Sequence, residues 1–387
     1  MKTLKALTRA FALAALGAGF SAGALAEDTV NIGFSGPLSG GAAVYGENVL
    51  SGLEMAVDEI NEDGGVKIDG ETHKVNLEAL DDMYSPSETA TNAKRLTQES
   101  DVSAIFVPHT GGIFALQDFN VKDNFLIMAY TSTPTVTEQG NPLTVRIPPT
   151  FDGYVKVFTD YAMKKHGKKL GMAGATHEYA KIWAKMLEKE WKAQGGEVVA
   201  KNPMSYNKSA DFYTGVSRTL AASPDVLFVG GASEPTGLVV QQANQLGFKG
   251  GYIVMDQAKL DEMADVAGGI EALNGAVGVT PLSIYESDSA KAFIERYQER
   301  YDKMPGSEAA YNYLALHGLV KAMQIAGTTD AEAAREHIGQ AMVELDKRFN
   351  PYDVTEVTEN GGFVTETTMA VVEDGELVQK EVNLELD

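Results

Sequence analysis

The chain contains no cysteine. Disulfides and thiol nucleophiles are therefore excluded. So is the cysteine through which an exported bacterial lipoprotein carries its lipid, which leaves a conventional core to supply stability. Histidine is scarce as well, with six scattered copies, so the usual parts of nucleophilic and metal catalysis are missing. Positive charge is in short supply: 32 Lys and Arg stand against 54 Asp and Glu, for a net charge of −22. That balance argues against nucleic acid and anionic membranes as partners. The acidic residues are spread among apolar positions rather than gathered in a tail, as on a strongly solvated surface; an acidic face docking on a basic partner is the alternative. No apolar stretch is long enough to cross a bilayer.

Enzyme signatures are absent in the same way. The one approach to a dinucleotide fingerprint, Gly17-Ala18-Gly19 with Gly23, falls in an N-terminal leader, and the glycine-rich stretch at Gly36 to Gly46 has no Lys-Ser or Lys-Thr after it. Ser205 and Lys208 have the Ser-x-x-Lys spacing without its companion motifs, and there is no Gly-x-Ser-x-Gly elbow. His177-Glu178 opens like a zinc-binding helix, but position 181 is lysine. No catalytic residue, cofactor or metal site is expected.

What is present begins with a leader. Lys2, Lys5 and Arg9 form a positive region, Ala10 to Phe20 a short apolar run, and Ala24-Leu25-Ala26 a small-residue cleavage signal before Glu27. This reads as a secretory signal peptide cleaved after Ala26. Its removal takes away three cations and no acids, leaving −25 on a soluble, exported chain.

The remainder is organised around residues 30–65. Val30, Ile32 and Phe34 alternate as a buried strand does, and Val49, Leu53, Ala56, Val57 and Ile60 recur at helical spacing. Between them lie Gly36, Gly40, Gly41 and Gly46, and Gly64-Gly65 closes the helix. Strands are then read at Val75–Leu80, Val102–Val107 and Leu126–Tyr130. Helices are read from Ser85-Pro86-Ser87-Glu88, a capping box with proline in the first turn, to about Ser100, and over Ile113–Asp123. After a pause at Val145 to Pro149 the same rhythm resumes through strands at Leu170, Glu197, Val226 and Tyr252 and helices at Asp152, Ala180, Asp211 and Pro235. A strand at Ala276–Val279, helices at Asp288, Ala309 and Asp330, and two alternating runs around an Asp374-Gly375 turn complete the chain. The fold class is α/β: two similar doubly wound lobes with a ligand cleft between them.

Several polar residues fall at the carboxyl ends of strands, where open α/β sheets bind ligands. Thr110 and Gly111 lie near a predicted helix N-terminus, which favours an anion, although Thr110 there also suits a simple cap. Thr131 and Thr133 follow the next strand, as ligand-binding hydroxyls or as turn residues. Asp256 ends a strand of the second half, as a counter-ion or a solvated loop acid, and Tyr45 and Tyr179 sit after strands as pocket walls or ordinary packing.

From Glu27 to about Leu345 the chain resembles the periplasmic leucine/isoleucine/valine-binding proteins of ABC importers, of the type I periplasmic-binding fold. The resemblance is carried by Gly36-Pro37-Leu38-Ser39-Gly40 with Tyr45-Gly46, Ala56 to Asn61 with Gly64-Gly65, Asp81-Asp82 with Pro86, Thr131 to Thr133, Gly230-Gly231, and Gln242-Ala243 with Gly247. It implies an amino-acid ligand of the branched-chain or hydrophobic class, delivered to an ABC permease and its ATPase subunits. It also implies a monomer in the periplasm with no nucleic acid, membrane insertion or enzymatic step. By the resemblance, Thr110 holds the α-carboxylate, the Thr131 carbonyl accepts from the ammonium and Thr133 touches both. Asp256 pairs with the ammonium, and Tyr45 and Tyr179 wall the cleft. Lobes of 27–148 with 280–350 and 149–279 with 351–387 are expected.

Four departures accompany it. Tyr84 and His109 stand where the best-known members have a disulfide pair, which puts His109 beside the ligand. Ala232 replaces a pocket tyrosine, Asp256 is a shorter acid than usual, and Glu308 falls near an aromatic pocket position. A larger or more polar side chain than leucine fits these changes. The alternatives are another small polar solute such as an amide, urea or aromatic acid, presentation of ligand to a sensor, and an exported enzyme.

Overall fold

Alternating apolar residues bury Ile32 and Phe34 on one side of the first strand, and this strand becomes the centre of a sheet. The computed structural model describes residues 29–380, so the leader and the end of the last alternating run lie outside the described residues. The first half comprises β1 (Thr29–Gly36), α1 (Ala43–Glu62), β2 (Val66–Ile68), β3 (Glu71–Asp81), α2 (Pro86–Glu99), β4 (Ala104–Val107) and α3 (Thr110–Gln117). It continues through α4 (Asn120–Asp123), β5 (Leu126–Ala129), α5 (Thr135–Glu138) and β6 (Thr144–Arg146). The second half comprises α6 (Asp152–His166), β7 (Lys169–Met172), α7 (Glu178–Ala193), β8 (Glu197–Lys201), α8 (Tyr213–Leu220), β9 (Val226–Val229), α9 (Ser233–Gln245), β10 (Gly251–Val254), α10 (Leu260–Ala267) and β11 (Ala276–Val279). Three helices follow, α11 (Asp288–Tyr301), α12 (Ser307–Ala326) and α13 (Ala331–Val343). The chain then forms β12 (Glu356–Val357), β13 (Phe363–Val364), β14 (Met369–Glu373) and β15 (Glu376–Lys380).

The first sheet has the order β2-β3-β1-β4-β5-β6, parallel except for the edge strand β2. Strand alternation divides its cores. Ala104 and Phe106 of β4 face the cluster built with Val49, Leu53 and Leu316, whereas Ile105 and Val107 face the one built with Leu96 and Ile113. Helices α1 and α12 pack closely enough that a Cβ on Gly52 would lie 2.1 Å from the Ala309 carbonyl oxygen, so glycine is required there.

The second sheet has the order β15-β14-β11-β10-β9-β7-β8, with β14 and β15 antiparallel at one edge. Its core is aromatic: Trp183 stacks between Phe151 at 5.7 Å and Phe228 at 5.4 Å. The observed fold is thus two helix-flanked α/β sheets, as the strand and helix rhythm predicts.

The differences are local. The short strands β2 and β6 and helix α10 carry too few periodic residues to be read from sequence. Ser85 does precede α2, but its side chain makes no capping bond and instead pairs with the Ser87 hydroxyl at 2.9 Å. The tail run splits, because β13 pairs with β12 while β14 joins the second sheet. Tyr352, Val354 and Phe363 pack in the first sheet's core, so the return crossing lies after β13 rather than at the expected position 351.

Helix α12 also carries a buried base. His317 stacks on Phe349 at 4.1 Å and meets Tyr313 edge-on at 4.6 Å, and its Nε2, 3.9 Å from Glu59 Oε2, has no hydrogen-bond partner among the described residues. Burial, with Arg296 and Arg348 nearby, pushes its pKa down to about 3. The unfolded chain takes up this proton below about pH 6.5 and the folded chain does not, so the stability tied to His317 is present near neutrality and is lost as pH falls. Between pH 7 and 5 the wild type should lose about 2 kcal/mol more unfolding free energy than His317→Phe, read by denaturant titration. Equal losses would refute the assignment.

Candidate functional site

Three threonines meet where β4 and β5 end. The Thr110 hydroxyl lies 2.8 Å from those of both Thr131 and Thr133, and Thr131 donates to Thr133 at 3.2 Å. All three are buried. The cap of α3 is not Thr110 but His109, whose Nδ1 accepts from the Gly112 N–H at 3.0 Å. Thr110 is the first helical residue and its hydroxyl is free to join the trio. The first N–H groups of a helix have no acceptor within it, and with Gly112 engaged by His109, those of Thr110 and Gly111 remain for a ligand.

His109 itself turns inward. Its Nε2 donates to Asp82 Oδ2 at 2.9 Å, and that buried carboxylate also accepts from Thr89 at 2.9 Å and Ser35 at 3.2 Å. Both ring nitrogens are used inside the first sheet's own loops. His109 thus holds the start of α3 in place, a role the sequence reading did not give it.

On the other side stands Asp256, buried two residues past β10. Its Oδ1 accepts from the Tyr179 hydroxyl and from Trp183 Nε1 at 3.0 Å, two donors one turn apart on α7. Burial and the Asp256 charge raise the Tyr179 pKa well above its ordinary value, so the phenol keeps its proton. Tyr45 donates to the Pro108 carbonyl at 2.8 Å and lies 6.2 Å, ring to ring, from Tyr130.

The two sides touch. The Gly41 N–H donates to Asn207 O at 3.2 Å, and a Cβ at Gly41 would lie 2.6 Å from Tyr206 O, so only glycine permits this approach. Tyr84 stacks on His109 at 4.6 Å, packs on His177 at 5.1 Å and accepts from Gln257 Nε2 at 2.9 Å. Tyr84 and its neighbour Met83 both have positive φ, held by hydrogen bonds from their N–H groups to Asp82 and Asp81. The expected disulfide position is thus filled by an aromatic stack that continues across the cleft. Lys259 Nζ joins the sides as well, donating to Asp256 O at 2.8 Å, Gln257 O at 3.2 Å and Glu308 Oε1 at 3.1 Å. Ala232 is buried at the start of α9.

Of the expected residues, the structure brings together Thr110, Thr131 and Thr133 on one side and Tyr179 with Asp256 on the other. Tyr45 reaches the Pro108 carbonyl just before α3, and Gly111 lies in the first turn of that helix. Trp183, Gln257 and Lys259 were missed, although one signal existed. Trp183 is four residues from Tyr179 on one helix face, and Gln257 and Lys259 share the strand-end loop of Asp256. Among the described residues no cluster of acids and histidines could hold a metal ion, and no helix is long and apolar enough to cross a membrane.

Residues 29–376 match the model of a family described as periplasmic binding protein. An amino acid binding protein of Pseudomonas aeruginosa is 28% identical over 82% of this chain and 84% of its own length. A Leu/Ile/Val-binding protein of Rhizobium johnstonii is 27% identical over 86% of this chain and 88% of its own. Among solved structures, the leucine binding protein LivK of Thermotoga maritima superposes with a TM-score of 0.77 at 23% identity, covering 92% of this chain and 99% of that one. LivJ of Streptococcus pneumoniae, solved with isoleucine, gives 0.76 at 22%, covering 91% and 99%. At these identities the solved structures speak for the fold.

Proposed function

The chain belongs to the periplasmic binding protein family, and from that premise we propose that it is the solute-binding component of an ABC importer, capturing an amino acid between its two sheets. The observation that carries the reading is the division of the cleft into a hydroxyl-rich side and an acidic side. A zwitterion leaving water must have both charges met. The N–H groups of Thr110 and Gly111 with the Thr110 and Thr133 hydroxyls suit its carboxylate. Asp256 Oδ2, which makes no protein hydrogen bond among the described residues, suits its ammonium together with the Thr131 carbonyl. Tyr45 and Tyr179 close the walls. The relatives named for leucine, isoleucine and valine support an amino-acid ligand of this general class.

Two lobes follow the crossings of the chain: 29–148 with 280–364, and 149–279 with 365–380. Their closure buries the ligand, and a permease with its ATPase subunits reads the closed form. The protein binds and releases without breaking a bond. It works as a soluble monomer in the periplasm after cleavage behind Ala26.

The test is thermal unfolding of protein that has been denatured and refolded to strip carried-over ligand, mixed singly with the twenty amino acids, urea, short amides and benzoates. A true ligand at a hundred times its Kd should stabilise by about 2.7 kcal/mol, a shift of several degrees. If only a solute without an ammonium group raises the midpoint, the reading is wrong.

A further inference from the structure

Beside Asp256, toward the crossings between the sheets, lies a small chamber walled by Tyr130, Tyr154, Tyr352, Lys259 and Thr280. It shares Asp256 with the site described above, and Tyr130 directly precedes Thr131. Its polar groups are unusually idle. The Tyr130 and Tyr154 hydroxyls make no hydrogen bond among the described residues, although each side chain is only 6% exposed. The Thr280 hydroxyl is buried with no partner among the described residues. Native interiors leave few such groups unsatisfied, and when several converge on one space they mark where a polar partner belongs. The open volume of about 30 Å³ suits one or two water-sized groups.

The charges around the chamber narrow that partner. Lys259 has all three of its N–H bonds committed, to Asp256 O, Gln257 O and Glu308 Oε1, so it offers nothing to a ligand carboxylate. Asp256, the one carboxylate in the wall, is taken by the α-ammonium. Burial raises the pKa of Tyr130 and Tyr154 well above the ordinary phenol value, so both remain neutral donors and acceptors. A charged side chain would lose its hydration here with no uncommitted counter-charge in the chamber wall itself.

Resting on the amino-acid reading, we propose that this chamber selects for an uncharged hydrogen-bonding group on the ligand's side chain. Of two amino acids with the same shape, the one bearing a hydroxyl or carboxamide binds more tightly. Tyr130, Tyr154 and Thr280 are the residues that make the distinction. A pocket built to hydrogen-bond rejects the analogue lacking that group far more strongly than an apolar pocket rejects an added hydroxyl.

The experiment is calorimetric titration of stripped protein with isosteric pairs, threonine against valine and asparagine against leucine, repeated on Tyr154→Phe, Tyr130→Phe and the double variant. In at least one pair the polar member should bind about tenfold or more tightly. The double variant should bring that ratio close to one while leaving the Kd of the apolar member unchanged, which also shows that the variant is folded. Equal or tighter binding of valine and leucine overturns the inference and leaves the amino-acid reading standing. So does a ratio that survives loss of both hydroxyls. Failure of every amino acid to bind overturns both.

Discussion

Asp256→Asn is expected to weaken amino-acid binding by about two to three orders of magnitude while leaving the fold nearly as stable as before. Truncating or neutralising one member of a buried, hydrogen-bonded charge pair costs about 2–5 kcal/mol of binding, because the other charge is then buried without its partner. On the proposed amino-acid reading the partner is the ligand's ammonium, which leaves water to reach Asp256. Asparagine keeps the volume of the side chain and one acceptor oxygen. The Tyr179 hydroxyl and Trp183 Nε1, which both point at Oδ1, therefore stay satisfied. Asp256→Ala removes that acceptor too and strands two buried donors, at about 1–3 kcal/mol each, so it should lose stability as well as affinity. Isothermal titration and chemical denaturation on both variants separate the two effects. Unchanged affinity in Asp256→Asn would remove the ammonium from this side of the cleft.

The parts of this design that sequence exposes are those made by neighbours along the chain. The β1 to α1 unit shows itself through alternation at Val30, Ile32 and Phe34, helical spacing from Val49 to Ile60 and a glycine stop, all within one stretch of about 36 residues. The placing of Thr110, Thr131, Thr133 and Asp256 just past strand ends is legible because the α/β rhythm locates those ends. Contacts between distant residues are silent. Gln257 and Tyr84 are 173 positions apart, and nothing local to either predicts that their side chains meet. The capping role of His109 is silent for a different reason. Histidine is not among the preferred N-cap residues, so the cap was offered to Thr110, and only the loop's folded path turns the imidazole onto the Gly112 N–H. The return of residues 352–363 to the first sheet is hidden because β12 and β13 are two residues each, too short for any period to register.

The same silence covers the second large effect, at Lys259. Its side chain is 6% exposed and that of Glu308 fully buried, and they pair at 3.1 Å across the meeting of the two sheets. Burial opposes the charge on Lys259, yet the Glu308, Glu262 and Asp256 charges together hold its pKa above the ordinary lysine value. Burial and the Glu308 charge raise the Glu262 pKa well above its ordinary value, so this carboxyl too is costly to charge. A Cβ on Gly306 would lie 2.6 Å from Glu308 Oε2 and 2.7 Å from Glu262 Oε1, which shows how closely the two carboxyl groups converge. Lys259 is therefore the cation that makes this acidic cluster tolerable. Lys259→Met should lower unfolding free energy by about 3–5 kcal/mol, because Glu308 is left buried and unpaired. Lys259→Met combined with Glu308→Leu should recover most of that loss, since a buried ion pair contributes little beyond an apolar pair of similar volume. Denaturant unfolding of the wild type, both single variants and the double gives the coupling directly. A single Lys259→Met variant within about 1 kcal/mol of the wild type would mean that the pair is a local hydrogen bond rather than the charge that joins the two halves.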